Sequence, residues 1–258
     1  MKNFEQDLIK YRNFLETIPL QRYRKELKDI KWVEQDLPKE LLPLNSIFKF
    51  YWEKREFLDF ESWFENFWKE INEDPKTAKV LKWFKKYYFD KDDNGWFKKG
   101  FKARMYRTWV SVLTQLDFCY LFEFLSVRRG KKIALECNAD LDKRGIDARI
   151  NNINFQIAKI SQRKEAKVMP QKKEIIVVPY PVFDIEDFKR KIESPRVKNK
   201  NKEIYKRMIE AFEKYFIRLR NGFVVFGEDY LKSIIENLDS KEKIKQIIKK
   251  ISAELSGE

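Results

Sequence analysis

At 258 residues the chain is long enough for one large domain or two small ones, with a sizeable core. Hydrophobic residues make up 43% of it, which excludes a disordered chain; 55 Lys+Arg against 41 Asp+Glu leave a net charge of +14 that attracts polyanions, nucleic acid first among them. Histidine is absent, and with it any Ser-His-Asp triad, Cys-His pair, HExxH zinc site or His-based nuclease, so a hydrolase here must work with carboxylates, Lys, Tyr and metal.

Residues 3–30 alternate apolar and charged positions at helical spacing, with Phe4, Leu8, Tyr11 and Leu15 on one side. The acids among these apolar residues do not fit a signal peptide. Pro38 and Pro43 mark a bend within Trp32–Leu44, and residues 45–88 return to a helical pattern rich in Phe and Trp. Lys91 to Gly95 (KDDNG) is a turn. Residues 96–127 read as one long helix whose apolar later half is buried, with Cys119 a small core residue; Cys119 and Cys137 are not at a metal-ligand spacing. No run of about 18 uncharged apolar residues occurs, so no transmembrane helix is expected, and a reduced cytoplasm is the expected location.

From residue 131 the period changes. Lys132–Cys137, Gly145–Ile150, Ile153–Ile160, Glu174–Tyr180 and Gly222–Phe226 read as short strands, with Asn151-Asn152 as a hairpin turn. Helices are expected at 184–193, 203–220, 228–238 and 241–255, and a polar basic loop at 196–202. The expectation is an α/β (α+β) chain: a single domain over 1–258, with a mainly helical part at 1–130, a small mixed sheet core at 131–227 and C-terminal helices at 228–258. The sequence contains 22 Phe, 7 Trp and 11 Tyr, enough for an aromatic core with some rings left to stack on bases.

The chemistry concentrates at DKRGID and QIAK. Asp142 and Asp147 flank a glycine turn, and Gln156 and Lys159 follow on the next apolar run. Two carboxylates can hold a divalent metal, which lowers the pKa of a bound water, and a nearby amine can orient that water for attack on a phosphodiester. Nucleases of the PD-(D/E)xK type use such a frame: an acid on one strand, then an acid or Gln two residues before a Lys on the next. The same residues also read as an ordinary turn and a strand surface. Glu136 is either a further metal ligand or a solvent-facing strand acid. Arg104 and Arg107, one helical turn apart, either grip phosphate or pair with an acid at the core edge. The basic stretch 162–173, with Arg163, Lys164 and Lys167, suits a phosphate backbone or a solvated loop.

Five segments are similar, in the same order, to segments of the TaqI-type restriction endonucleases: VEQDLP (33–38), ARMYRTWVSVLTQLDFCY (103–120), LDKRGID (141–147), QRKEAK (162–167) and NGFVVF (221–226). The resemblance runs from about Val33 to Asn237. It implies a PD-(D/E)xK-like core and a type II endonuclease dependent on Mg²⁺. Such an enzyme cuts both strands of double-stranded DNA at TCGA after the T and leaves 5′-phosphates. It also implies a homodimer on the palindrome and a cognate DNA methyltransferase in the same system. Asp142 and Asp147 fall on the family's two aspartates and Gln156 on its strand Gln. Where the family has two successive lysines this chain has Ala158-Lys159, so Lys159 is the catalytic lysine only if a bulge re-aims it or the second lysine is the working one. A structure-selective or repair nuclease on the same fold, or a catalytically weak DNA-binding protein, are the alternatives.

Overall fold

The computed structural model describes residues 3–27, 29–34, 36–88, 95–160, 175–181 and 183–257. The chain is mixed helix and sheet and divides into two compact units. One is formed by Ile9–Leu116 with Leu219–Phe223; the other by the N-terminal residues to Leu8, Asp117–Arg218 and Val224–Glu258.

The first unit is helical. It holds most of α1 (Phe4–Thr17), then α2 (Leu20–Leu27), α3 (Leu44–Phe48), α4 (Phe60–Glu73), α5 (Pro75–Tyr88) and the first two-thirds of α6 (Trp96–Arg128). Asp59 starts α4 by accepting from the Ser62 backbone N–H at 2.9 Å. Phe60, Trp63, Phe64, Phe67 and Ile71 then recur at helical spacing and bury one stripe of it. Trp109 of α6 sits in the middle of this core, its ring 5.3 Å from Phe60, 6.0 Å from Tyr51 and 6.2 Å from Phe14 between centroids. The buried Tyr11 hydroxyl donates to the Leu113 carbonyl at 2.6 Å. The rings expected to form an aromatic core do so here.

The second unit carries the sheet. Its strands are β1 (Leu135–Glu136), β2 (Ala148–Ile150), β3 (Ile153–Lys159) and β4 (Ile175–Tyr180), in that spatial order. β1, β2 and β3 are antiparallel neighbours, and β4 lies parallel to β3. Asn151 takes a positive φ of 52° in the β2–β3 turn, as the Asn-Asn pair predicts. Ala148, Ile150, Ile153, Phe155, Ile176 and Val178 form the buried side of the sheet, with Phe118 of α6 6.0 Å from Phe155. A short helix, α7 (Ala139–Asp142), lies between β1 and β2; α8 (Ile185–Glu193), α9 (Asn199–Tyr215), α10 (Glu228–Ile235) and α11 (Lys241–Ser256) complete the unit.

Three local expectations change. The helix expected at 203–220 stops at Tyr215, and Phe216–Arg218 forms β5, which pairs with β6 (Val224–Phe226) in a separate two-stranded sheet. The hairpin between them closes because Gly222 takes a φ of 86° and its N–H reaches the Leu219 carbonyl at 2.8 Å. The polar stretch 196–202 is a loop only to Lys198, since α9 begins at Asn199. The strand expected from Gly145 begins at Ala148, with a tight turn before it. α6 is long and apolar enough to cross a membrane, but most of its apolar window is buried within the protein, as befits a core helix.

Candidate active site

The site lies in the second unit, where the chain runs from β1 through α7 into β2. Asn138 accepts from the backbone N–H groups of Asp140 (3.1 Å) and Leu141 (2.9 Å), which starts α7 and anchors buried Leu141. Asp142 is the last residue of that helix. Its carbonyl accepts from the Gly145 N–H at 2.8 Å, and Gly145 has a φ of 73°, in the region where glycine is favoured. The Ile146 N–H returns to the Leu141 carbonyl at 3.0 Å, and its buried side chain fixes the exit of the turn. The turn thus delivers Asp147 against the sheet.

Asp147 is tied to β3 twice. Its N–H donates to the Phe155 carbonyl at 2.9 Å, and its Oδ2 accepts from the Ile157 N–H at 2.5 Å. Gln156, half-buried on β3, lies between those two partners. The Asp147 residue is only 4% exposed. Burial pushes its carboxyl well above the usual carboxylate range, the nearby charge of Asp142 pushes it further, and the Ile157 N–H pulls the other way. Behind it the Cys137 thiol donates to the Asp147 carbonyl at 3.5 Å. That thiol is raised by burial first, then by its neighbour Cys119 and by the two aspartates. Cys137 is therefore a protonated lining residue rather than a nucleophile, and Cys119 is likewise free and buried.

A buried carboxyl raised by a second carboxyl is a site that a cation would relieve. The donors are hard oxygens with no competing imidazole, which fits Mg²⁺. Among the described residues no group of three or more acids and cysteines converges to hold a metal. Asp142 and Asp147 would therefore hold the ion with water and substrate oxygens completing the shell, the usual state of protein-bound Mg²⁺.

Not every residue expected at the site is brought to it. Glu136 lies exposed on β1 and pairs with Arg149 at 3.2 Å, while the Arg149 Nε donates to Asn154 Oδ1 at 3.0 Å. The β3–β4 register runs unbroken from Asn154–Ile175 to Lys159–Tyr180, with no bulge. Lys159 is therefore exposed on the strand face opposite Gln156 and Ala158. In the helical unit Arg107 donates to the Ile30 carbonyl at 3.1 Å and pairs with Glu34, while the half-buried Arg104 has an Nε without a hydrogen-bond partner. Arg163, Lys164 and Lys167 lie outside the described residues. Sequence reasoning missed Asn138, Cys137 and the Ile157 N–H. Of these only Asn138 had a local signal, an Asn three residues before an apolar anchor.

The model of the TaqI restriction endonuclease family matches residues 8–238, nearly the whole chain. The chain belongs to the TaqI restriction endonuclease family. It is 33% identical over 238 residues to the type II restriction enzyme TaqI of Thermus aquaticus, covering 87% of this chain and 85% of that protein. It is 32% identical, over the same shares, to the type II restriction enzyme TthHB8I of Thermus thermophilus. No solved structure matches it. The match begins well before Val33 and takes in both compact units, so family membership covers the helical unit as well as the carboxylate pair.

Proposed function

We propose that this protein is the endonuclease of a type II restriction–modification system, hydrolysing both strands of double-stranded DNA at TCGA with Mg²⁺. The observation that carries the chemistry is the buried Asp147 held beside Asp142 and bonded to the β3 backbone. Mg²⁺ would supply charge neutralisation at the phosphate and a more acidic water. Asp142 and Asp147 would hold it, with the Gln156 amide oxygen the next donor along β3. The Ile157 N–H fixes the orientation of the Asp147 carboxylate. Water adds to phosphorus, the bond to the 3′ oxygen breaks, and the products are a 3′-hydroxyl and a 5′-phosphate.

Lys159, which stands in the second of the family's two lysine positions, is the proposed amine that orients the water. Glu136 would join the ligand set only by leaving Arg149. The likeness of the 142–159 segment to a PD-(D/E)xK frame supports these roles. The two-fold symmetry of TCGA favours a homodimer of the full chain acting as one enzyme. A methyltransferase of the same sequence specificity would protect host DNA in the cytoplasm.

The test is a digest of a plasmid of known sequence with Mg²⁺. Discrete fragments ending at TCGA are expected, as is resistance of DNA methylated at that sequence. Cutting at a different sequence would overturn the specificity. Tight DNA binding without nicking at any Mg²⁺ or Mn²⁺ concentration would instead favour the binding-protein reading, to which Ala158 in the family's lysine position lends weight.

A further inference from the structure

Helix α5 has a face that the carboxylate pair does not use. Its sequence, PKTAKVLKWFKKYY, holds five lysines and no acid. Asp74 caps its start, accepting from the Thr77 N–H at 2.9 Å, and Lys85 and Lys86 lie in its last turn, where the helix dipole favours cations. Leu81 and Phe84 are buried and fix the inner face. On the other side Lys79, Lys82, Trp83, Lys86 and Tyr87 follow at i, i+3, i+4, i+7 and i+8, all exposed. Trp83 is 64% and Tyr87 60% exposed, the two most exposed large hydrophobic side chains among the described residues. Lys79, Lys82 and Lys86 make no ion pair among the described residues, whereas Lys76 at the start of the same helix pairs with Glu40, and on the adjacent helices Lys69 pairs with Glu73, Lys98 with Glu65 and Lys102 with Glu61.

The exposed rings of this unit are grouped. Phe84 meets Phe97 edge-on at 6.1 Å, which joins α5 to the first turn of α6. There Trp96, also exposed, pairs with Trp32 at 4.3 Å. The four exposed aromatic side chains among the described residues therefore lie on α5, on the helix it touches and on the segment paired to that helix, all within the helical unit.

We infer that the Lys79–Lys82–Trp83–Lys86–Tyr87 face of α5 is a sequence-independent grip on the sugar–phosphate backbone of duplex DNA. It is separate from the cleavage chemistry and rests on the restriction-endonuclease reading above. Three lysines without acidic neighbours on their own helix complement a polyanion. The indole N–H and the phenol O–H add donors for phosphate oxygens, and the ring bodies cover sugar. A second copy of the chain would present the same positive face and be repelled. A lipid surface would need an apolar face to insert, and on α5 that face is Leu81 and Phe84 in the core.

The test compares the full-length protein with a Lys79→Gln/Lys82→Gln/Lys86→Gln variant and with Trp83→Ala. Affinity for a duplex lacking TCGA is measured across a salt series without Mg²⁺. For the triple variant the log–log salt slope should become shallower by about 2 to 3, since each phosphate left without its lysine removes roughly 0.9. Affinity should fall by roughly tenfold or more at moderate salt. Trp83→Ala should weaken affinity with little change of slope. The single-turnover cleavage rate at saturating TCGA duplex should stay at the wild-type value in both. A wild-type slope in the triple variant overturns the proposal. So does loss of binding to phosphatidylserine–phosphatidylcholine vesicles with the DNA slope intact, which would make the face a lipid-binding one. Wild-type protein that binds duplex but cuts nowhere at TCGA defeats the restriction reading instead, and leaves the slope comparison to decide this one.

Discussion

The two compact units bury polar groups in different ways. In the helical unit the buried polar side chains among the described residues, Ser46, Thr114 and Gln115, are neutral: Ser46 accepts from the Trp63 indole at 3.2 Å, and Thr114 donates to the Val110 carbonyl at 3.1 Å. Among its described residues no carboxylate is buried. The sheet-bearing unit buries two carboxylates, Asp117 and Asp147. Each accepts a backbone N–H, from Phe226 at 2.7 Å and from Ile157 at 2.5 Å. Burying a carboxylate is costly unless it is bonded or paired, so both need a reason. Asp117 has a structural one: it holds β6 to the core helix. Asp147 has Asp142 beside it, which no purely structural role requires and which makes its ionisation harder. That pair of acids is the observation on which the proposed cation site rests.

The sharpest way to break this contrast is to neutralise each acid in turn. Asp147→Asn should reduce Mg²⁺-dependent cutting of a TCGA duplex to background while DNA binding in Ca²⁺ persists. Asp117→Asn keeps an oxygen for the Phe226 N–H. It should cost about 1–2 kcal/mol in denaturant unfolding and still cut. Equal loss of cutting in both variants, with both folded, would remove the functional distinction between the two acids.

Next in size is the aromatic core. Trp109 is fully buried among Phe14, Tyr51 and Phe60. Trp109→Ala should cost about 3–5 kcal/mol of stability, while the cleavage rate per folded molecule, measured well below the melting temperature, stays close to wild type. A rate that collapses in the folded variant would tie the helical unit's core directly to the chemistry.

How much of this could be read from the sequence follows the range of the interaction. Asp142, Gly145 and Asp147 sit within six residues, so their turn and its two carboxylates were visible as a local pattern. The alternation that turns Lys159 away from Gln156 was visible too, because strand parity needs no tertiary information, and the unbroken register bears it out. The Ile157 N–H to Asp147 bond and the Glu136–Arg149 pair were not visible, because they depend on how β1, β2 and β3 register. β5 was hidden for another reason. Phe216–Arg218 continues the apolar and basic spacing of α9, and it is the pairing with Val224–Phe226, over ten residues from the middle of that helix, that makes it a strand. Arg107 could have gone either way, and Glu34, seventy-three residues earlier, gave it an ion-pair partner.

A smaller effect concerns pH. The folded-state pKa of Asp147 is raised above its unfolded value, so the folded chain holds a proton that the unfolded chain has released. This contribution is present at low pH and is lost as pH rises from the ordinary carboxylate range through the raised value. The melting temperature of metal-free wild type should therefore fall relative to that of Asp147→Asn across that window. Added Mg²⁺ or Ca²⁺ should raise the wild-type value more at alkaline than at acid pH and leave Asp147→Asn nearly unmoved. Parallel pH curves for the two metal-free proteins would show that Asp147 ionises normally, and the argument from its burial would fail.

The smallest predicted effect tests whether the surface charges of the helical unit are as passive as its core. Arg107 uses its guanidinium on Glu34 and the Ile30 carbonyl, which ties the segment before Pro38 to α6. Burial lowers its pKa, and Glu34 pulls it back up. Glu34 is exposed, so the pair should be worth no more than about 1 kcal/mol. Arg107→Gln, Glu34→Gln and the double variant should all unfold within that margin of one another, with the double no worse than the worse single. Their affinity for DNA is the discriminating reading. An ion pair that only braces the segment predicts little change in either single variant. A phosphate contact at Arg107 predicts opposite changes: weaker binding and a salt slope shallower by about 0.9 in Arg107→Gln, and tighter binding in Glu34→Gln, where the arginine is released toward the DNA. Lys79, Lys82 and Lys86, which have no such competitor among the described residues, should show the larger slope change, and the ratio of the two measures how far an ion-pair partner already on the protein takes a cation out of DNA binding.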